Sequence, residues 1–152
     1  MTLLEIANQF KTVTDSITGL NGFSFGWPSD RTRQVEYDSP GEYVASFLYP
    51  RVFFAVPTLE HNQTTRRDLY QVEIFFDDLL GYDDTGETDD STQIEKWANL
   101  LGYAEQWVRE MQTKKTTGVI DGTVNMVLDS FGSTQRLITV RASFTLATLS
   151  TC

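Results

Sequence analysis

The sequence has few of the side chains that most often build metal centres, disulfides and catalytic sites. Its 152 residues include one cysteine, Cys152, and one histidine, His61. A disulfide within the chain is therefore excluded, as are zinc sites made of four cysteines or of two cysteines and two histidines. Every mechanism that needs two imidazoles is excluded on the same ground.

Positive charge is also scarce. Twelve Lys and Arg residues stand against 21 Asp and Glu, which gives a formal net charge of −9 with the histidine neutral. Proteins that bind duplex DNA tightly place cations on its phosphates, so this balance argues against such a module. No apolar run approaches the roughly 18 residues of a membrane span, and the first residues lack a basic leader region. We therefore expect a soluble protein made in the cytoplasm, with no membrane partner.

Signatures of chemistry are weak as well. The chain contains neither G-x-x-x-x-G-K-[ST] nor G-x-G-x-x-G, the usual phosphate-binding patterns. His61 lies in a polar stretch, and we interpret it as an exposed loop residue, because a catalytic imidazole needs an oriented partner and a nearby nucleophile. Cys152 has no neighbour that would activate its thiol. We expect a protein that is not an enzyme and that holds no cofactor and no metal.

Two segments have the periodicity of amphipathic helices. Apolar residues spaced by three and four predict a first helix over residues 2–18 and a second over residues 92–113. Thr92, with Glu95 three positions later, is typical of a capping box at the start of the second helix. Trp97 and Trp107 lie on the apolar stripe of that helix, which favours a place in the core for both.

Several further segments have the pattern of β-strands. The apolar run 51–56 is typical of a strand covered on both faces, whereas 69–76 and 135–148 alternate like half-buried strands. The remaining candidates are residues 34–38, 42–49 and 120–128, and residues 23–28 as a short strand or a loop. Hairpin connections between such strands predict an α+β fold, a mostly antiparallel β-sheet packed by the two amphipathic helices. At this length one domain over residues 1–152 is expected.

The most unusual feature of the sequence is an acidic segment over residues 77–90. Its spacing does not fit the regular oxygen positions of a calcium loop, so we interpret it as a solvated loop. An alternative function for the chain is a small non-enzymatic module that uses this segment to bind calcium or carbohydrate. The segment holds seven acids: Asp77, Asp78, Asp83, Asp84, Glu87, Asp89 and Asp90.

Five arginines lie in the first half of the chain: Arg31, Arg33, Arg51, Arg66 and Arg67. With the acidic segment they offer complementary patches, which would suit a head-to-tail contact between copies; ordinary solvated charge is the alternative. Trp27, beside Pro28, could anchor a neighbouring subunit. The predicted subunit interface consists of Trp27, Arg31, Arg33, Arg66 and Arg67.

The order of elements and three stretches of strand sequence carry a family resemblance. They are YPRVFF at residues 49–54, YQVEIFFD at 70–77 before the acidic segment, and VRASFTL at 140–146 in the closing hairpin. In this layout the chain resembles neck and tail proteins of tailed bacteriophages, in particular tail terminator and head-tail connector proteins. The resemblance covers most of the chain but carries over no residue-level functional motif.

This resemblance implies a structural virion protein at the head-tail junction or tail end. Its partners would be further copies of itself in a ring, hexameric for a terminator, together with the tail tube and the portal or neck proteins. DNA would pass through the ring without specific binding. An acidic lumen repels phosphates, so the hypothesis is that part of segment 77–90 faces the lumen or a neighbouring ring.

Overall fold

Two helices and six strands make up the part of the chain that the computed structural model describes, namely residues 2–27, 49–79, 90–113, 119–131 and 137–149. The fold is α+β with a mostly antiparallel sheet, which confirms the predicted class. The predicted strands 34–38 and 42–48 lie outside the described residues. In chain order the elements are α1 (Leu3–Ser16), β1 (Gly22–Gly26), β2 (Arg51–Ala55), β3 (Thr58–Asn62), β4 (Arg67–Leu79), α2 (Asp90–Thr113), β5 (Val119–Phe131) and β6 (Leu137–Leu149).

The strands form one sheet in the order β1-β2-β4-β6-β5, with β3 pairing on β4 beyond the end of β2. Pairing is antiparallel throughout except between β1 and β2, which run parallel. The central pair, β4 and β6, is joined along thirteen residues of each strand, from Arg67 opposite Leu149 to Leu79 opposite Leu137. The side chains of strand β3 are all exposed.

The two helices begin at Leu3 and Asp90. Helix α1 opens on a capping box in which Thr2 accepts from the Glu5 backbone N–H and the Glu5 carboxylate accepts from the Thr2 backbone N–H. Helix α2 begins at Asp90, so Thr92 lies inside its first turn and the capping box predicted for Thr92 and Glu95 is wrong. No helix among the described residues is long and apolar enough to span a membrane.

One face of the sheet, called here the helix face, shares a buried cluster with both helices. The centre of this cluster is aromatic: the ring centroid of Phe10 lies 4.7 Å from that of Phe54 and 5.0 Å from that of Trp107. The Trp107 indole N–H donates to the Thr14 hydroxyl at 3.2 Å, which satisfies a polar group that would otherwise be costly to bury. From the sheet, the cluster takes alternate residues of β4 and β6: Tyr70, Val72, Ile74, Phe76, Ile138, Val140, Ala142, Phe144 and Leu146.

The opposite side of the sheet, called here the second face, has a smaller apolar cluster and more polar side chains. Phe53, Ala55 and Phe75 are buried together there. Strand β2 is therefore buried on both faces along its whole length, as its apolar run predicts. Towards the other end of β4, the Thr145 hydroxyl on β6 donates to the Gln71 side-chain oxygen at 3.0 Å.

Candidate functional site

The acidic segment does not begin as a loop. Strand β4 continues through Leu79, and within it Asp77 is fully buried on the second face. Its carboxylate lies 3.6 Å from the Arg51 guanidinium and accepts a hydrogen bond from the Thr139 hydroxyl at 2.7 Å. The prediction of a solvated loop, with Asp77 facing a lumen, is wrong for this residue. The β2–β4 register places Arg51 directly opposite Asp77 and so compensates the buried charge.

Asp78 is half-buried in a different environment. It lies opposite Ile138 on the helix face, and its carboxylate accepts from the Leu79 backbone N–H at 2.8 Å. Burial raises the pKa of Asp78, although the positive charge of Lys96 and the Leu79 hydrogen bond act in the opposite direction. Lys96, on α2, donates to the Leu79 carbonyl oxygen, so this end of β4 is tied to the helix.

Of the other five acids of the segment, the structure describes one. Asp90 is the first residue of α2, while Asp83, Asp84, Glu87 and Asp89 lie outside the described residues. In the described part of the chain, no group of three or more His, Cys, Asp or Glu side chains is placed to hold a metal ion. Asp77, already paired with Arg51, is no longer a free ligand for the calcium alternative.

The three predicted interface residues that the structure describes, Trp27, Arg66 and Arg67, do not form one patch. Trp27 follows β1 and is 62% exposed. Arg66 has a left-handed backbone (φ 51°) in the turn before β4, and the exposed Arg67 opens that strand opposite Asn62. Next to Trp27, the Gly26 carbonyl accepts a hydrogen bond from the Val56 backbone N–H. Val56 is six residues from Asn62, or about 20 Å along a strand, and Asn62 lies opposite Arg67. Trp27 and Arg67 are therefore well separated. Arg31 and Arg33 lie outside the described residues.

The prediction that His61 lies in a loop is wrong, because His61 lies on strand β3. It faces Asp68 across the β3–β4 hairpin, and its Nδ1 contacts the Asp68 carboxylate. The sequence does not predict this pair because it depends on the register of the hairpin, and the exposed strand β3 has no alternation of apolar and polar residues. A directly opposite pair of this kind stabilises a two-stranded ribbon, and the contact therefore has a structural explanation.

Strand β1 spells G-x-S-x-G, the pattern of the nucleophile elbow in serine hydrolases. This match was missed from the sequence. An elbow places its serine on a strained turn between a strand and a helix, but Ser24 lies in the middle of a regular strand, opposite Phe53. Among described residues other than glycine, only Arg66 has a positive φ, so Ser24 has no elbow conformation. The pattern therefore does not form a nucleophile elbow here.

A cleft of about 440 Å³ lies against strands β4, β5 and β6. Among the described residues that line it, Glu73 is the only charged one, and neither His61 nor Asp68 is included. A glycosidase needs two carboxylates across the scissile bond, and this cleft supplies one. Polar members of the lining are Thr58, Gln71, Glu73, Thr123, Asn125, Ser143 and Thr145.

The two outer strands of the sheet carry exposed apolar side chains. On β1, Phe25 is 42% exposed, and on β5, Val127 and Leu128 are 43% and 55% exposed. The three consecutive apolar residues 126–128 were a usable signal, because in a strand they must place apolar groups on both faces. Of the predicted interface residues that the structure describes, only Trp27 lies at one of these edges.

The chain was compared with known proteins. Neither the models of protein families nor the curated protein sequences include one that matches it.

Proposed function

We propose that this protein is a structural, non-enzymatic subunit of a bacteriophage virion. It assembles into a ring, hexameric by analogy with tail terminators, at the head-tail junction or tail end. There it joins the tail tube to the portal or neck proteins and leaves a passage for DNA. The proposal combines the family resemblance with the two exposed edges of the sheet.

The observation that carries the assembly role is that the sheet has two distinct edges, both with exposed apolar residues. A ring requires a heterologous contact, in which two different surfaces of one subunit meet. Among the described residues, strands β1 and β5 end the sheet on opposite sides, and each exposes a large apolar residue, Phe25 on one and Leu128 on the other. Single exposed apolar residues are common, but natural sheets usually protect their edges with charge or proline. A subunit contact explains why these edges are apolar.

The net charge of −9 suits a DNA passage, since a negative lining repels phosphates and lets the genome slide. Asp77 is not part of such a lining, because it is buried beside Arg51. The proposed lumen or inter-ring acids are therefore Asp83, Asp84, Glu87 and Asp89, with Asp78 and Asp90 at the two ends of that segment.

The mass of the purified chain in solution tests the proposal. Native mass spectrometry is expected to give a closed species with six times the mass of the chain. Leu128→Lys, at the β5 edge, should shift the population to monomer. Ile94→Lys is the matched control, because Ile94 is 68% exposed and lies on α2, not on an edge strand. A wild-type monomer at every concentration up to its solubility limit would contradict the ring.

A further inference from the structure

We infer that neighbouring copies in this ring join their sheets by antiparallel pairing of β1 of one copy with β5 of the next. This inference rests on the proposed ring and deepens it by naming the two strands and their register. The occupant of each edge is a second copy of this chain.

Strand directions give the first argument. Strand β2 is antiparallel to β4, β4 to β6 and β6 to β5, while β1 is parallel to β2. Consequently β1 and β5 run in opposite directions within one subunit. When copies stand side by side in the same orientation, as around a ring, the two edge strands meet antiparallel, which is the more stable of the two ladders per residue.

The rows of paired residues across the sheet give the second argument. One row runs Phe23, Val52, Phe76, Val140, Leu128, so its two ends are apolar and lie on the helix face. The next runs Ser24, Phe53, Phe75, Arg141, Val127 on the second face. Continuing these rows into a neighbouring copy sets Phe23 against Leu128 and Ser24 against Val127. The exposed apolar groups of the two edges then cover each other on the helix face.

The shape of β5 gives the third argument. Its pairing with β6 shifts register between Asp121 and Asn125, and Gly122 within that bulge has a φ of 79°. Bulges twist an edge away from further pairing, so the first part of β5 is protected. The regular part, from Asn125 onward, lies at the level of β1 and contains neither Lys nor Pro. Its charged residue, Asp129, is set by the same rows against Gly22, which has no side chain. The portion of the edge left suitable for pairing is thus the portion that meets β1.

Disulfide trapping tests the register. In a Cys152→Ser background, Ser24→Cys combined with Val127→Cys should give a ladder of disulfide-linked chains, up to the size of the ring, on a non-reducing gel. Such a bond must join two copies, because four strand spacings of about 4.8 Å separate β1 from β5 in one subunit, and a disulfide requires Cα atoms within about 7 Å. The control pair, Ser24→Cys with Leu128→Cys, places the two thiols on opposite faces and should not give the ladder.

The outcomes separate this inference from the ring itself. A hexamer by mass whose Ser24–Val127 pair does not crosslink would overturn the pairing and leave the ring standing. A dimer trapped by Val127→Cys alone would overturn it as well, because β5 would then pair with itself around a two-fold axis. Should cysteine at Val127 prevent folding, Phe25→Lys and Leu128→Lys replace it: each should abolish the ring, and an intact ring in either variant contradicts the inference.

Discussion

Asp77 and Asp78 are adjacent and chemically identical, yet they lie on opposite faces of the sheet and have different surroundings. On the second face, Asp77 is fully buried and paired with Arg51 and Thr139. On the helix face, Asp78 is half-buried, and burial raises its pKa. The contrast teaches that strand register decides the role of an acid here: one face supplies a compensating cation from the opposite strand, and the other supplies mainly apolar surroundings.

The largest expected effect comes from removing the aromatic centre of the helix face. Trp107→Ala deletes a side chain that contacts Phe10, Phe76 and Phe144 and is fully buried. We expect a loss of about 3–5 kcal/mol in the free energy of unfolding. Urea denaturation followed by circular dichroism measures it. Trp107→Phe, which leaves a smaller cavity, should cost clearly less; equal losses would show that this site does not depend on packing volume.

The next effect separates the two faces directly. Asp77→Ala leaves the Arg51 charge buried beside an apolar methyl group, and we expect a loss of about 3 kcal/mol in the same measurement. The double variant Arg51→Met with Asp77→Leu should lose less than either single change, because it removes both charges together. Asp78→Ala, at the neighbouring position on the other face, is the matched control and should not be destabilised to a similar degree. A similar loss for both aspartates would contradict the expectation that only Asp77 is needed to compensate a buried charge.

A smaller effect is expected where the two helices meet. Gly19 has a φ of 105°, and a Cβ built on it would lie 2.4 Å from the Tyr103 hydroxyl oxygen of α2. Gly19→Ala should therefore cost about 1–3 kcal/mol through backbone strain and displacement of that ring. Gly102, inside α2, has no atom within 4 Å of an added Cβ. Gly102→Ala should instead stabilise by about 0.5–1 kcal/mol, since alanine favours helix. Thermal midpoints of both variants check the opposite signs.

The smallest effect depends on pH. Because the folded protein binds the Asp78 proton more tightly than the unfolded chain, the contribution of this group to stability falls as pH rises from the ordinary aspartate pKa through the raised value. Asp78→Asn keeps an acceptor for the Leu79 N–H and removes this loss. The variant should be slightly more stable than wild type at neutral pH, with the gain vanishing in acid. A less stable variant at neutral pH would show that the attraction of Lys96 outweighs burial.

Much of the fold could be predicted because burial leaves periodic patterns. The alternation of residues 69–76 and the apolar run 51–56 correspond to β4 and β2, and both helices lie within two residues of the predicted ends. Strand β3 could not be predicted, because all of its side chains are exposed and nothing repeats with period two. The parallel pairing of β1 with β2 depends on a long connection rather than on either strand's own sequence.

The candidate site was predicted less well, because the sequence does not show which residues lie opposite each charged side chain. Asp77 looks like the start of an acidic run, and only the pairing of β2 with β4 reveals Arg51 opposite it. Trp27 was identified from its loop-like neighbours and does lie exposed at an edge. Val127 and Leu128 were overlooked, although the run 126–128 indicates apolar groups on both faces of a strand. That this strand is an edge strand becomes visible only when the order of strands is known.

The hydrogen bond between Thr14 and Trp107 spans 93 positions of the chain and has a consequence during synthesis. Helix α1 leaves the ribosome first, but Phe10 packs on Phe54, Trp107 and Phe144, which are made later. At translation rates of about 5–20 residues per second, its apolar stripe waits on the order of ten seconds for its partners. The aromatic core around Phe10 therefore closes only after strand β6, which supplies Phe144, has been made.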